Sequence, residues 1–157
     1  MNFGLIDRIV ELSRGERIVA LKAVSRAEEY LADHFPTFPV LPGVLMLEAM
    51  AEAGAWLLRD SGDFEDPVVL LKKVRNATYK DFVTPGDVVV YTVTCRRLSK
   101  DVSDFEGVGR CGNGGREVVR ARFGLTQLSA GDPDGPSEDV NRRLAKTTRA
   151  QFARLRK

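Results

Sequence analysis

A chain of 157 residues, 43% hydrophobic and 29% charged, is long enough for one domain with a real core and too short for two ordinary ones. Its formal net charge of +2 excludes the strongly basic balance of an obvious nucleic-acid binder. The charge is uneven, however: Glu138 to Lys157 holds seven basic and two acidic residues, so this tail is +5 and the rest of the chain −3. Met1 to Arg8 lacks the basic region, apolar stretch and cleavage site of a signal peptide. The most apolar segment, Val44 to Leu58, is interrupted by Glu48 and Glu52 and is too short to span a bilayer, so no integral membrane segment is expected. Cys95 and Cys111 are not in a CxxC spacing, and the single histidine cannot complete a zinc site. Two buried, reduced thiols in a cytoplasmic protein are the expectation.

In chain order, Phe3 to Leu12 reads as a short strand or a turn of helix. Arg17 to Ser25 reads as a strand with mostly apolar residues on both faces, hence well buried. Prolines 36, 39 and 42 lack amide protons and bias their predecessors away from helix, which predicts a stiff, extended loop. Val44 to Arg59 predicts a helix, apolar all round and therefore buried on most sides, ending near Asp60-Ser61-Gly62. Five strand segments follow: Val68 to Arg75, Ala77 to Phe82, Val88 to Leu98, Asp104 to Gly112 and Glu117 to Leu128. Turns are predicted at Thr84-Pro85-Gly86-Asp87 and at Asn113-Gly114-Gly115. Ser129 to Ser137 is linker by composition. Val140, Leu144, Thr148, Phe152 and Leu155 then form a stripe at helical spacing among basic residues. One long buried helix followed by an antiparallel series implies an α+β fold with the sheet wrapped on the helix.

The residues that carry chemistry lie where the proline loop meets the helix. The run His34-Phe35-Pro36-Thr37-Phe38-Pro39-Val40-Leu41-Pro42-Gly43 holds the only histidine, and Glu48 follows it by fourteen residues, just inside the helix. A base, a helix N-terminus and a carboxyl group are thus held on one stiff piece of backbone. These are the groups needed to remove a proton beside a carbonyl and to expel a hydroxyl. A neutral imidazole takes a proton near neutral pH, which suits His34 to the role of base. A carboxyl in an apolar helix wall is expected to hold its proton, which suits Glu48 to the role of acid. The Gly43 N–H, at the positive end of the helix, is a candidate to polarise a carbonyl. Glu52 lies one turn beyond Glu48 on the same face, and two carboxylates that close resist joint ionisation.

The segment HFPTFPVLPGVLMLEAMAEAG closely resembles the β-hydroxyacyl-[acyl-carrier-protein] dehydratases of the hotdog-fold family, in which His-Phe-Pro, two further prolines, a Pro-Gly pair and a helix glutamate recur in this order. Leu5-Ile6-Asp7-Arg8-Ile9 is similar to the family's opening strand, and Ala77-Thr78-Tyr79-Lys80 with Val83-Thr84-Pro85-Gly86-Asp87 to its later ARFK…V.PGD segment. The resemblance covers about Phe3 to Leu128. Two positions depart from it: Thr37 replaces a usual glycine, and Glu52 a usual glutamine.

The resemblance implies a hotdog domain over residues 1–128, an antiparallel sheet around a long central helix; by composition a linker at 129–137 and a basic helix or tail at 138–157 follow, the tail being longer than the family's usual ending. It implies dehydration of a (3R)-3-hydroxyacyl thioester on acyl carrier protein to the trans-2-enoyl thioester, with no metal, nucleotide or flavin required. His34 of one protomer would face Glu48 of another in a homodimer or a trimer of dimers, with Gly43, Val44, Leu45 and Leu47 as substrate-binding candidates. The basic tail is open to three roles: a solvated helix packing its stripe on the body, a dock for the acidic carrier, or a membrane-surface contact. Two other functions stay open, a hotdog thioesterase and a non-catalytic, dehydratase-like subunit.

Overall fold

The alternation of Val89, Tyr91 and Val93 with polar or exposed neighbours lays down one buried row, and Ser103, Phe105, Gly107, Gly109 and Cys111 repeat the pattern. The computed structural model of the chain describes residues 4–111 and 115–157. The strands β1 (Arg8–Ser13), β2 (Arg17–Ala23), β3 (Val68–Tyr79), β4 (Val88–Arg97), β5 (Ser103–Cys111) and β6 (Arg116–Leu128) form one sheet in the order β1-β2-β4-β5-β6-β3. Each neighbouring pair is antiparallel. A 3₁₀ turn spans Glu29–Leu31, α1 spans Gly43–Ser61, and α2 spans Glu138–Leu155.

The buried sheet row includes Ile18, Ala20, Val89, Tyr91, Val93, Phe105, Val119, Ala121, Phe123 and Leu125, and α1 lies against it. Contact is close enough that a Cβ on Gly54 would come within 2.9 Å of Leu125 Cδ1, so any side chain at this helix position would have to displace Leu125 for α1 to seat on β6. The expected arrangement, a sheet wrapped around a central helix, is the one observed. The helix is buried nearly all round from Ala49 to Leu58, as its composition implies, but its first turns are not: Val44 is 67% exposed and Glu48 is exposed.

Several expectations need correction. The segments Val68 to Arg75 and Ala77 to Phe82 are one strand, β3, ending at Tyr79, whose pairing with β6 shifts between Arg75 and Thr78. Asn76 sits there at φ 53°, a conformation asparagine tolerates, so the strand bulges instead of ending. The proline loop is not uniformly extended: the Phe35 and Phe38 backbones exchange two hydrogen bonds (3.2 and 3.1 Å) around Pro36-Thr37. Cys111 is buried as expected, but Cys95 is only half-buried; both are free thiols, and burial pushes both upward in pKa. The turn at Thr84–Asp87 is present, with Gly86 at φ 102° after Pro85. Of the Asn113-Gly114-Gly115 turn, only Gly115 lies within the described residues.

Ser129 to Ser137 makes successive turns, closed by Asp132 N–H to Ser129 C=O and Gly135 N–H to Asp132 C=O. The Ser137 hydroxyl caps α2 by accepting from Val140 N–H. The stripe on α2 is rotated relative to expectation. Asn141, Ala145, Thr148, Gln151, Phe152 and Leu155 are the partly or fully buried residues, while Val140 and Leu144 are exposed. Polar contacts set this rotation: Asn141 Nδ2 donates to Glu65 C=O (2.7 Å), and the Arg149 guanidinium donates to Asp63 C=O. Phe152 packs on Trp56 and Phe64 (ring centroids 6.0 and 5.2 Å), closing the C-terminal end of α1.

Candidate active site

The loop that carries His34 is anchored at both ends. Ahead of it, buried Lys22 on β2 pairs with Glu28 (2.8 Å) and Asp7 (3.4 Å), and Asp7 also accepts from Ala23 N–H. After it, Leu41 N–H donates to Val83 C=O, in the segment leading to the Thr84–Asp87 turn. Within it, Val40 N–H donates to His34 C=O and the His34 Nδ1 lies 2.9 Å from Val40 C=O. A carbonyl can only accept, so Nδ1 carries the proton and the neutral ring keeps its lone pair on Nε2. Phe35 stacks on the imidazole, with centroids 4.5 Å apart, and further fixes the ring. The His34–Phe35 peptide is cis.

His34 lines a cleft of about 440 Å³ with Phe35, Gly43, Met46, Tyr79 and Phe82 among its walls. Pro42 precedes α1 and offers no side-chain cap, so the Gly43 N–H at the positive end of the helix has no intrahelical acceptor, and Gly43 lines the cleft. A Cβ on Gly43 would lie 3.0 Å from the Tyr79 ring, so glycine is what lets backbone and aromatic wall approach each other. The cleft is apolar except for the imidazole, the amides and the rim charges Lys80 and Asp81. It can accept an apolar chain with one polar, carbonyl-bearing end.

The structure therefore brings His34 and Gly43 together. Within one protomer it does not bring Glu48 to them. Glu48 lines a separate cleft of about 260 Å³ with Leu5, Glu52, Arg59 and Leu71. Val44, Leu45 and Leu47 are absent from the walls of both clefts: Val44 is exposed, and Leu45 and Leu47 pack partly against the core. The cleft wall from α1 is instead Met46, and β3 with its following segment supplies Tyr79 and Phe82, which sequence reasoning missed. A signal existed: Phe35, Phe38, Tyr79 and Phe82 are all large, apolar and between 44 and 63% exposed, and Phe38 meets Phe82 edge-on at 6.1 Å.

Around Glu48 the electrostatics are set by α1 itself. Glu52 accepts Leu5 N–H through Oε2 (2.9 Å). Burial pushes the Glu52 carboxyl up from the usual carboxylate range, against the opposing pull of the Leu5 N–H and of Arg59. Trp56 Nε1, one turn on, is buried near the same carboxyl though outside hydrogen-bond geometry, and it too favours the anion. Arg59 is itself lowered by burial; its Nε donates to Pro67 C=O (2.8 Å) and its guanidinium lies over the Trp56 ring.

Comparison with known proteins bears on the family and the fold. Residues 1–121 match the family model described as a FabA-like domain. The chain is 42% identical over 114 residues to the 3-hydroxyacyl-[acyl-carrier-protein] dehydratase FabZ of Paracidovorax citrulli, covering 71% of this chain and 78% of that one. Among solved structures it resembles the dehydratase heterocomplex ApeI:P from Xenorhabdus doucetiae, with TM-score 0.63, 20% identity, and 89% and 88% of the two chains covered. It also resembles a mutant of a hypothetical thioesterase from Streptococcus pneumoniae TIGR4, with TM-score 0.60, 14% identity, and 78% and 90% covered. These likenesses identify the architecture as the hotdog fold, and by its sequence the chain belongs to the FabA-like family.

Proposed function

We propose that the protein dehydrates 3-hydroxyacyl thioesters carried by acyl carrier protein to trans-2-enoyl thioesters, in fatty acid or related lipid biosynthesis. The observation that carries this reading is the His34 ring, whose Nδ1–H is bound to Val40 C=O so that a basic Nε2 remains beside the N-terminus of α1. The relatives' shared activity supports it. In the reaction, His34 Nε2 takes the proton from C2 while the Gly43 amide polarises the thioester carbonyl. The electron pair forms the C2=C3 bond, the C3–O bond breaks, and Glu48 gives its proton to the departing hydroxyl, which leaves as water. The step is redox-neutral, and afterwards His34 loses and Glu48 regains a proton through solvent.

Since His34 and Glu48 line separate clefts of one protomer, the complete site belongs to a dimer, with Glu48 supplied by a second copy. Edge strand β3 supports this: Leu71 and Val74, paired with inward-facing Leu125 and Phe123, lie on the helix side of the sheet yet are 40 and 41% exposed. An apolar strip beside the uncovered first turns of α1 fits a second copy of the same surface. A dimer or a trimer of dimers satisfies this. Free Cys95 and Cys111 fit a reducing compartment, the cytoplasm. The test is the ultraviolet change on interconverting hydroxyacyl and enoyl thioesters with the purified chain. Activity lost in His34→Ala and Glu48→Gln supports the reading. Release of free thiol from an acyl thioester without a 3-hydroxyl would establish a thioesterase instead, and inertness toward both substrates a non-catalytic subunit.

A further inference from the structure

Counting by twos along β3 from Arg75, which pairs with exposed Arg122 on the outer face of the sheet, would put Tyr79 on that outer face as well. The bulge at Asn76 prevents this. From Arg75 to Thr78 the strand takes one residue more than its partner does from Arg122 to Arg120. The extra residue reverses the alternation, so Tyr79 pairs with fully buried Val119 and turns inward toward α1. There its ring meets the helix start: a Cβ on Gly43 would lie 3.0 Å from Tyr79 Cδ1 and 3.1 Å from Cε1. The phenolic oxygen is two bonds beyond Cε1, so the hydroxyl is held near the amide proposed to polarise the substrate carbonyl.

Other polar side chains of this cleft are already engaged. His34 Nδ1–H is bound to Val40 C=O, Lys80 pairs with Glu117 (3.0 Å), and Asp81 pairs with Arg116 (3.4 Å). Among the described residues nothing hydrogen-bonds the Tyr79 hydroxyl, and Tyr79 is 44% exposed even with one ring edge against Gly43. A phenol can donate and accept, and a ligand that covers it must supply a partner or lose binding. In the proposed reaction His34 serves C2, and Glu48 of a second copy serves the C3 hydroxyl. The polar groups left near the thioester carbonyl are on the thiol side, where the pantetheine arm of a carrier has its first amide two carbons beyond sulfur.

We propose that Tyr79, turned into the cleft by the Asn76 bulge, is a binding residue whose hydroxyl hydrogen-bonds the amide of a pantetheine arm and so selects thioesters of that thiol. The proposal rests on the dehydratase reading for turnover, though not for binding. Tyr79→Phe keeps the ring against Gly43 and removes only the hydroxyl, so melting temperature should not change. With the N-acetylcysteamine thioester of 3-hydroxybutyrate, which carries the amide, the variant should raise KM about fivefold and leave kcat within about twofold. With the S-pentyl thioester, of matching length and no amide, KM should not move. A penalty of equal size on both thioesters, or on neither, overturns the proposal. The second readout needs no turnover: an NMR titration of the full-length protein with the two corresponding butyryl thioesters, in which Tyr79→Phe should weaken binding of the N-acetylcysteamine thioester alone by about fivefold. That selective loss in a protein that dehydrates neither hydroxyacyl thioester upholds the Tyr79 contact and sinks the dehydratase reading instead. Dehydration without the selective loss does the reverse.

Discussion

The two ends of α1 are built from similar residues and finished in opposite ways. At the C-terminal end, Trp56, Leu57 and Leu58 are 1–2% exposed, and α2 folds back to lay Phe152 across Trp56 and Phe64. At the N-terminal end, Val44 stands 67% exposed, Glu48 lies on the surface, and Phe35, Tyr79 and Phe82 line an open cleft. A chain that can close one end of its helix with its own residues has left the other end open. Apolar surface left uncovered beside a fixed imidazole is what a substrate and a second copy would bury. Stability is thus concentrated at one end of the helix and the proposed chemistry at the other.

The largest expected effect lies at the open end. His34→Ala and Glu48→Gln should each lower kcat/KM by about 10³-fold or more in the thioester assay, with melting temperature nearly unchanged. Mixing the two inactive variants under subunit exchange should restore about one quarter of the original activity, because half the dimers are then mixed and each mixed dimer holds one intact site. No recovery after verified exchange would place both residues in one protomer's site and break the comparison. At the closed end, Phe152→Ala should cost about 3 kcal/mol in denaturant unfolding while leaving kcat/KM of the folded enzyme within about twofold. A large loss of activity there would mean that α2 serves the site as well as the core.

A smaller effect is expected at the β3 edge. Val74→Lys places a charge in the apolar strip and should weaken self-association about tenfold by analytical ultracentrifugation, with activity falling at low protein concentration. The smallest concerns the turn beneath the histidine loop. Asp87 accepts from Thr84 N–H (2.9 Å) and pairs with Arg116 (3.3 Å), and these contacts hold its carboxyl below the usual carboxylate range. A lowered folded-state pKa contributes stability that is full above about pH 4, the unfolded value, and is lost as pH falls through the folded one. Asp87→Asn should therefore cost about 1 kcal/mol at neutral pH and flatten the acid side of the stability profile. An unchanged acid profile would show that this turn does not support the open end.

Much of the fold was legible residue by residue. The period-2 rows of β4 and β6, the proline spacing, the apolar content of α1 and the Thr84–Asp87 turn all express local preferences that tertiary contacts then reinforced. Asn76 misled because a positive-φ residue usually ends a strand, whereas here the β3–β6 ladder continues past it on both sides. The rotation of α2 misled because Asn141 and Arg149 found backbone carbonyls at Glu65 and Asp63, and hydropathy alone cannot weigh such contacts against Val140 and Leu144.

At the candidate site, residue type and order alone were enough to single out His34, Gly43 and Glu48 as candidates, because a lone imidazole, a Pro-Gly helix start and a carboxyl at set spacing are properties of the chain. Which groups share a cleft was decided only on folding. Met46, Tyr79 and Phe82 meet His34 through the wrapping of β3 past α1, and Glu48 turns to the other side because five residues of helix carry it more than a full turn beyond Gly43. Local backbone chemistry is written in short stretches of sequence, whereas the meeting of distant surfaces depends on strand order, bulges and helix rotation, which are set by the packing of the whole sheet on its helix.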